Sequence, residues 1–200
     1  MTERHRLGPH RDPAVDTAVL DAARELLVER GYAATSIDAI AARAGVSRPS
    51  IYRRWPSKAH LIAKAVFPDV GSDQVAPDLL AEIRKVIRGT IQLFGSPETR
   101  VAMPGLMTEM RGDAGLYDKL SARLDAPTRA ELADYLAAAP GRPGLDPDTV
   151  LDAIAGAALF AMCIRDIDDM DGFATSLEDL LLYGIVGARP TPRGSAGSTA

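Results

Sequence analysis

The sequence predicts an all-α protein, with an N-terminal three-helix unit followed by a longer helical unit. Three observations predict it. Ala, Leu and Arg abound while aromatics make up 5% of the 200 residues, a bias towards helix formers. No segment alternates Val, Ile and Thr with period two between hairpin turns. Cap and breaker signals recur instead: Asp-Pro or Ser opens apolar-periodic runs, and Gly or Pro closes them. A hydrophobic content of 46% is enough to fill a core.

Composition also narrows the classes. The single cysteine, Cys163, excludes an internal disulfide framework and a cysteine-based zinc site, which fits a reducing cytoplasm. The N-terminal MTERHRLGPHRDP is charged and lacks an apolar run, so it does not read as a signal peptide. The longest apolar stretch, 150–164, carries Asp152 and falls short of the ~20 residues of a membrane span, so no membrane partner is expected. The net charge of −4 hides an asymmetry: residues 1–64 sum to +4 and residues 65–200 to −8. A local basic patch matters more for binding a polyanion than the sum does.

Residues 1–12 read as a disordered basic arm with Arg4, Arg6 and Arg11. Asp12-Pro13 supplies an N-cap and a first helical proline, and Val15, Ala18, Val19, Ala22, Ala23, Leu26 and Leu27 make one apolar face. Gly31 ends that helix. Thr35 is the expected cap of a second helix, with Asp38 near its positive end and Ile37, Ile40, Ala41 and Ala44 as its buried stripe. Gly45 turns the chain, and Ser47 caps a short third helix closed at Trp55 by Pro56. Ile51 and Trp55, four apart, should point inward, which leaves Arg48, Ser50, Tyr52, Arg53 and Arg54 outside. Ser57 caps a fourth helix whose first turn holds Lys58. A cation there opposes the helix dipole, and a bound phosphate would account for it. Residues 31–64 carry six basic groups against one acid, Asp38. Donors and an aromatic on a short capped helix are what entry into a DNA major groove requires.

The span 15–66 resembles the DNA-binding domain of the TetR family of bacterial transcription regulators. The matching features are Gly31-Tyr32 after the first helix, Thr35 opening the second, Ala44-Gly45-Val46-Ser47 at the turn, and Ile51-Tyr52 with Trp55 and Lys58. Many members have Phe where this chain has Trp55. The resemblance implies that Thr35, Ser47, Tyr52 and Lys58 hold phosphates while Arg48, Ser50 and Arg53 face bases, with Arg54 beside them. It further implies a homodimer on a roughly palindromic double-stranded operator, released by a small ligand, repression being the family's usual mode.

Residues 77–188 then read as an effector-binding and dimerisation domain. The amphipathic run 78–94 is followed by a helix from Ser96-Pro97 that Pro104-Gly105 should kink or split. A helix over 116–139, kinked near Pro127, precedes the loop 140–145. The helix 150–164 is apolar nearly all round and must be enclosed, and a last helix over 173–186 should present Phe173, Leu177, Leu180, Leu181 and Val186 on one side. These last two helices suit either a dimer interface or a monomeric core. Phe94, Met103, Met107, Met110, Tyr117, Phe160 and Met162 could line an apolar ligand cavity, although methionine at helical spacing also suits ordinary core. Residues 189–200 read as a disordered tail. The acids of 166–172 lack the Glu of a calcium loop, and no catalytic triad or phosphate-binding Gly loop is present, so neither cofactor nor enzymatic activity is expected. The competing classes are an enzyme with an unrecognised site, and a non-specific DNA-binding protein, which would need basic charge over the whole surface.

Overall fold

The computed structural model describes residues 12–67, 75–138 and 145–186, so the N-terminal arm and the C-terminal tail lie outside the described residues. These residues form helices and no strand. Four helices come first: α1 (Pro13–Ala34), α2 (Ile37–Ala44), α3 (Arg48–Tyr52) and α4 (Lys58–Val66). Five follow: α5 (Leu79–Gly95), α6 (Pro97–Gly112), α7 (Ala114–Ala138), α8 (Pro147–Leu159), continued by a π turn over Phe160–Ile164, and α9 (Met170–Val186).

The first group packs as its apolar spacing requires. Val19, Ala22, Ala23, Leu26 and Leu27 of α1 meet Ile37, Ile40 and Ala41 of α2, Ile51, Trp55, and Leu61 and Ile62 of α4. Ala18 is exposed, so the buried stripe of α1 starts at Val19. Each large aliphatic side chain buried here is worth about 1.5–3 kcal/mol of transfer free energy. Gly31 breaks α1 at φ 78°, a backbone region open to glycine and strained for other residues.

In the second group α5 lays Ile83, Val86, Ile87, Ile91 and Phe94 against α6, α7, α8 and α9, and its core is continuous with that of α1–α4. Phe67 and Phe94 meet edge to face at the junction, 6.3 Å between centroids. The C-terminal carbonyls of α4, which have no partner within the helix, are taken by side chains of three other helices. Arg24 Nε of α1 donates to Ala65 O at 2.8 Å, Thr99 Oγ1 of α6 to Val66 O at 3.5 Å, and Arg123 of α7 to Phe67 O at 2.8 Å.

Several expectations are corrected. α6 is not split at Pro104-Gly105 but runs as one helix from Pro97 to Gly112, because Gly105 is where the Tyr32 ring packs against it. α7 likewise continues through Pro127. The last helix buries Ala174, Leu177 and Leu182, whereas Leu180 is 71% exposed and faces away from the core. The helix 147–164 is not enclosed. Ile154 and Ala158 are buried, but Phe160 and Ile164 stand more than half exposed. Its 18 residues are apolar and long enough to cross a membrane by length and composition alone. It packs instead along α5 and α7, with one face uncovered.

Candidate nucleic-acid interface

The head is set by three serine caps and one glycine. Ser36, Ser47 and Ser57 each accept a backbone N–H three residues ahead, from Ala39 (3.2 Å), Ser50 (3.4 Å) and His60 (3.3 Å). Gly45 closes α2 in the left-handed conformation (φ 66°), and Val46 N–H returns to Ala41 O at 3.0 Å. This fixes α3 at an angle to α2. Arg43 then pins α2 to α1 through Glu25 (2.9 Å) and Glu29 (2.7 Å). That contact holds the Glu29 carboxyl below the usual carboxylate range, chiefly through the hydrogen bond from Arg43.

On this frame the expected contact residues divide. Arg48, Tyr52 and Arg53 are exposed on and just after α3, while Ile51 is fully buried and Trp55 nearly so, as their four-residue spacing requires. Arg48 Nε lies 3.0 Å from Asp38, a pair with both side chains more than half exposed. Such a pair contributes little and can exchange for a stronger anion. Arg53 has no side-chain partner among the described residues. Ser47 is exposed at the start of α3.

Three assignments need correction. Thr35 does not cap α2; Ser36 does. Thr35 is fully buried, and its hydroxyl donates to Gly31 O at 2.8 Å, closing the break at the end of α1. It presents nothing to a phosphate. Arg54 points inward with its side chain 11% exposed, paired with Asp16 and donating to the Ser50 carbonyl and hydroxyl, both at 3.0 Å. Ser50 is thereby half-buried and committed as well. Lys58 does have a reason to open α4 without a phosphate. Its Nζ donates to Tyr32 O at 2.8 Å and sits 4.0 Å from the centre of the Tyr32 ring. The charge thus meets the carbonyl end of α1, where a cation is favoured. Burial lowers the Lys58 pKa, against an opposing pull from Glu109.

The expected ligand cavity is also divided. Phe94, Met103 and Met162 are buried, and Met110 is partly buried against the core. Met107, Tyr117 and Phe160 are exposed and cannot share an enclosed space with them. Helical spacing gave the faces of neither α6 nor α7, since a stripe of mixed residues does not say which side meets the core. Two carboxylates are buried in this part, Glu82 and Glu178. Each faces a cation, Lys85 Nζ at 2.7 Å from Glu82 and Arg88 at 2.8 Å from Glu178.

A model of bacterial regulatory proteins of the tetR family matches residues 19–65, and one of the tetracyclin repressor-like C-terminal domain matches residues 76–181. The chain belongs to the tetR family. The chain is similar over 67% of its length to the DNA-binding transcriptional repressor TetR of Mycobacteroides abscessus, 33% identical over 144 residues that make up 73% of that protein. It is 25% identical to the HTH-type transcriptional regulator YdeS of Bacillus subtilis over 92% of this chain and 94% of that one. Among solved structures, NalD of Pseudomonas aeruginosa, the secondary repressor of the MexAB-OprM multidrug efflux pump, shares the fold. Its TM-score is 0.62 at 23% identity, covering 88% of this chain and 98% of NalD. The TetR-family chain is therefore an all-α, DNA-binding transcriptional regulator with an N-terminal helix-turn-helix.

In this regulator, sequence reasoning missed Tyr32 as the partner of Lys58 and Gly105 as the partner of Tyr32. A glycine in mid-helix beside proline was available as a signal of close approach, but it read equally as a helix break.

Proposed function

We propose that the regulator binds a palindromic operator as a homodimer and represses transcription until a small apolar or amphipathic ligand in residues 77–188 releases it. The observation that carries the DNA-facing part is the division along α3. Ile51 and Trp55 anchor it while Arg53 and Tyr52 stand free and Arg48 is held only by an exposed pair. In this reading Arg48 and Arg53 reach base edges, and Ser47, Tyr52 and the remaining Lys58 protons meet phosphates. Thr35, Ser50 and Arg54 shape the head rather than touch DNA.

The repressor mode is supported by the 33% identical repressor. Dimerisation through α8 and α9 is supported by the exposed Phe160, Ile164 and Leu180, apolar surface that a second copy would cover. Phe94, Met103 and Met162, buried around α5, α6 and the π turn, mark where an apolar effector would enter by displacing soft side chains. The reading is of a cytoplasmic binding protein rather than an enzyme.

The test is selection of bound duplexes from a random pool, followed by Arg53→Ala on the recovered site. Two inverted half-sites are expected, with Arg53→Ala costing about 1–3 kcal/mol on the operator and much less on random DNA. Equal losses on both would make Arg53 a phosphate contact, and an unordered pool would sink sequence-specific binding.

A further inference from the structure

A cleft of about 350 Å³ opens between the head and α7. Its volume lies at the small end of ordinary ligand sites, roughly 300–1,000 Å³. Trp55, Leu116 and Leu120 form apolar walls, and Lys64, Lys119 and Arg123 supply the charge. The one carboxylate among its described lining residues, Asp16, is paired with Arg54, which also lines the cleft. The lining therefore carries a net positive charge. Lys119 and Arg123 bring cations into the part of the chain that sums to −8. Lys119 is exposed and has no ion-pair partner among the described residues.

From this we infer that the cleft binds a small amphipathic anion, its carboxylate or phosphate at Lys119 and Lys64 and its apolar body against Leu116, Leu120 and Trp55. The site is distinct from the effector position proposed among Phe94, Met103 and Met162. Like charges gathered in a low-dielectric cleft repel one another, and an anion removes that repulsion. The apolar walls select a body of a few carbons over a free inorganic ion. The cleft is too small to receive a duplex. Its occupant touches α1, α4 and α7 together and so lies across the joint between head and body.

Trp55 is the chain's single tryptophan and lines the cleft, so its emission reports occupancy directly. The full-length protein, without DNA, is titrated with octanoate and separately with octyl phosphate, with octanol and octyltrimethylammonium as controls. A saturable change in Trp55 emission with either anion and neither control is expected, and the stronger anion identifies the head group. Lys119→Glu should weaken it by at least roughly fivefold, and Lys119→Arg should restore it. Far-UV dichroism confirms that each variant is folded. No saturable change, an equal response to octanol, or an anion response indifferent to Lys119→Glu would overturn the inference. So would a Lys119→Glu variant that only weakens DNA binding and flattens its salt dependence, because the rim would then be a phosphate contact. Since the titration contains no DNA, its outcome is independent of the operator reading.

Discussion

Gly105→Ala places a methyl group against the Tyr32 ring. The new Cβ would lie 2.5 Å from Cγ and 2.6 Å from Cε1, and nearer still to Cδ1. Real Cβ atoms do not come that close, so either the ring or α6 must move. Tyr32 is poorly placed to yield, because its carbonyl holds Lys58 Nζ and its ring lies under the same ammonium. Overpacking of this kind costs typically about 1–3 kcal/mol. Alanine returns about 1 kcal/mol through its better helix propensity. The expected net is a loss of about 1–2 kcal/mol, a fall in Tm of roughly 2–8 °C for a chain of this size. Gly89→Ala is the control. Gly89 lies in the middle of α5 with nothing within 4 Å of an added Cβ, so it should gain up to about 1 kcal/mol. Urea unfolding of both variants, with Tyr32→Ala added to Gly105→Ala, closes a double-mutant cycle. The reasoning fails if Gly105→Ala is stabilised like Gly89→Ala, or if Tyr32→Ala does not relieve its cost.

Three further outcomes follow from the head and the body. Arg54→Ala should lower stability by about 2–4 kcal/mol, because it strands the partly buried Asp16, whereas Arg53→Ala should leave the urea midpoint unchanged. Tyr32 keeps its proton until about pH 12, chiefly because of burial, with Glu109 adding to it. Its folded pKa lies above the unfolded value near 10, so its contribution is complete below about pH 10 and is lost as pH rises towards 12. Between pH 8 and pH 11 wild type should therefore lose roughly 1 kcal/mol more than Tyr32→Phe, by urea unfolding at each pH. Burial, aided by Asp166 and opposed by Arg100, pushes the Cys163 thiol up to about 11, so at pH 8 about one molecule in a thousand carries the thiolate. Iodoacetamide should label Cys163 far more slowly in the native protein than in urea.

What the sequence made legible was whatever local rules decide. Ser47, Ser57 and Gly45 sit where capping and left-handed geometry place them, and Ile51 with Trp55 follow from a four-residue period. The errors came where a distant residue decides. Thr35 and Ser36 are equivalent caps by local chemistry, and the burial of Thr35 against Gly31 O selects Ser36. Arg54 looked like its basic neighbours because its partner, Asp16, is 38 residues away. Pro104-Gly105 carries a breaker's signature, yet the vacancy left by the glycine is filled by an aromatic from α1. The ligand residues fared worst. Exposed Met107 and buried Met103 share a helix and a residue type, and only the packing of α6 against its neighbours separates them.

These distant contacts converge on α4. Its first residue, Lys58, is tied to the end of α1 through Tyr32, and Tyr32 is in turn wedged against Gly105 of α6. Its last carbonyls are held by Arg24, Thr99 and Arg123, from α1, α6 and α7. Both ends of α4 are thus fixed to α1 on one side and to the body on the other. Each of these contacts is short-ranged, and a buried carbonyl that loses its donor costs about 1–3 kcal/mol. A rotation of the head relative to α6 and α7 must either carry α4 with it or strand those carbonyls. That cost favours a few discrete arrangements over a continuous range, because packed interfaces repack in steps rather than deform smoothly. The residues that set the position of α3 on DNA therefore extend beyond the helix-turn-helix. Gly105, Thr99 and Arg123 belong to that set although none lies on the head, and α4 is the element through which they act.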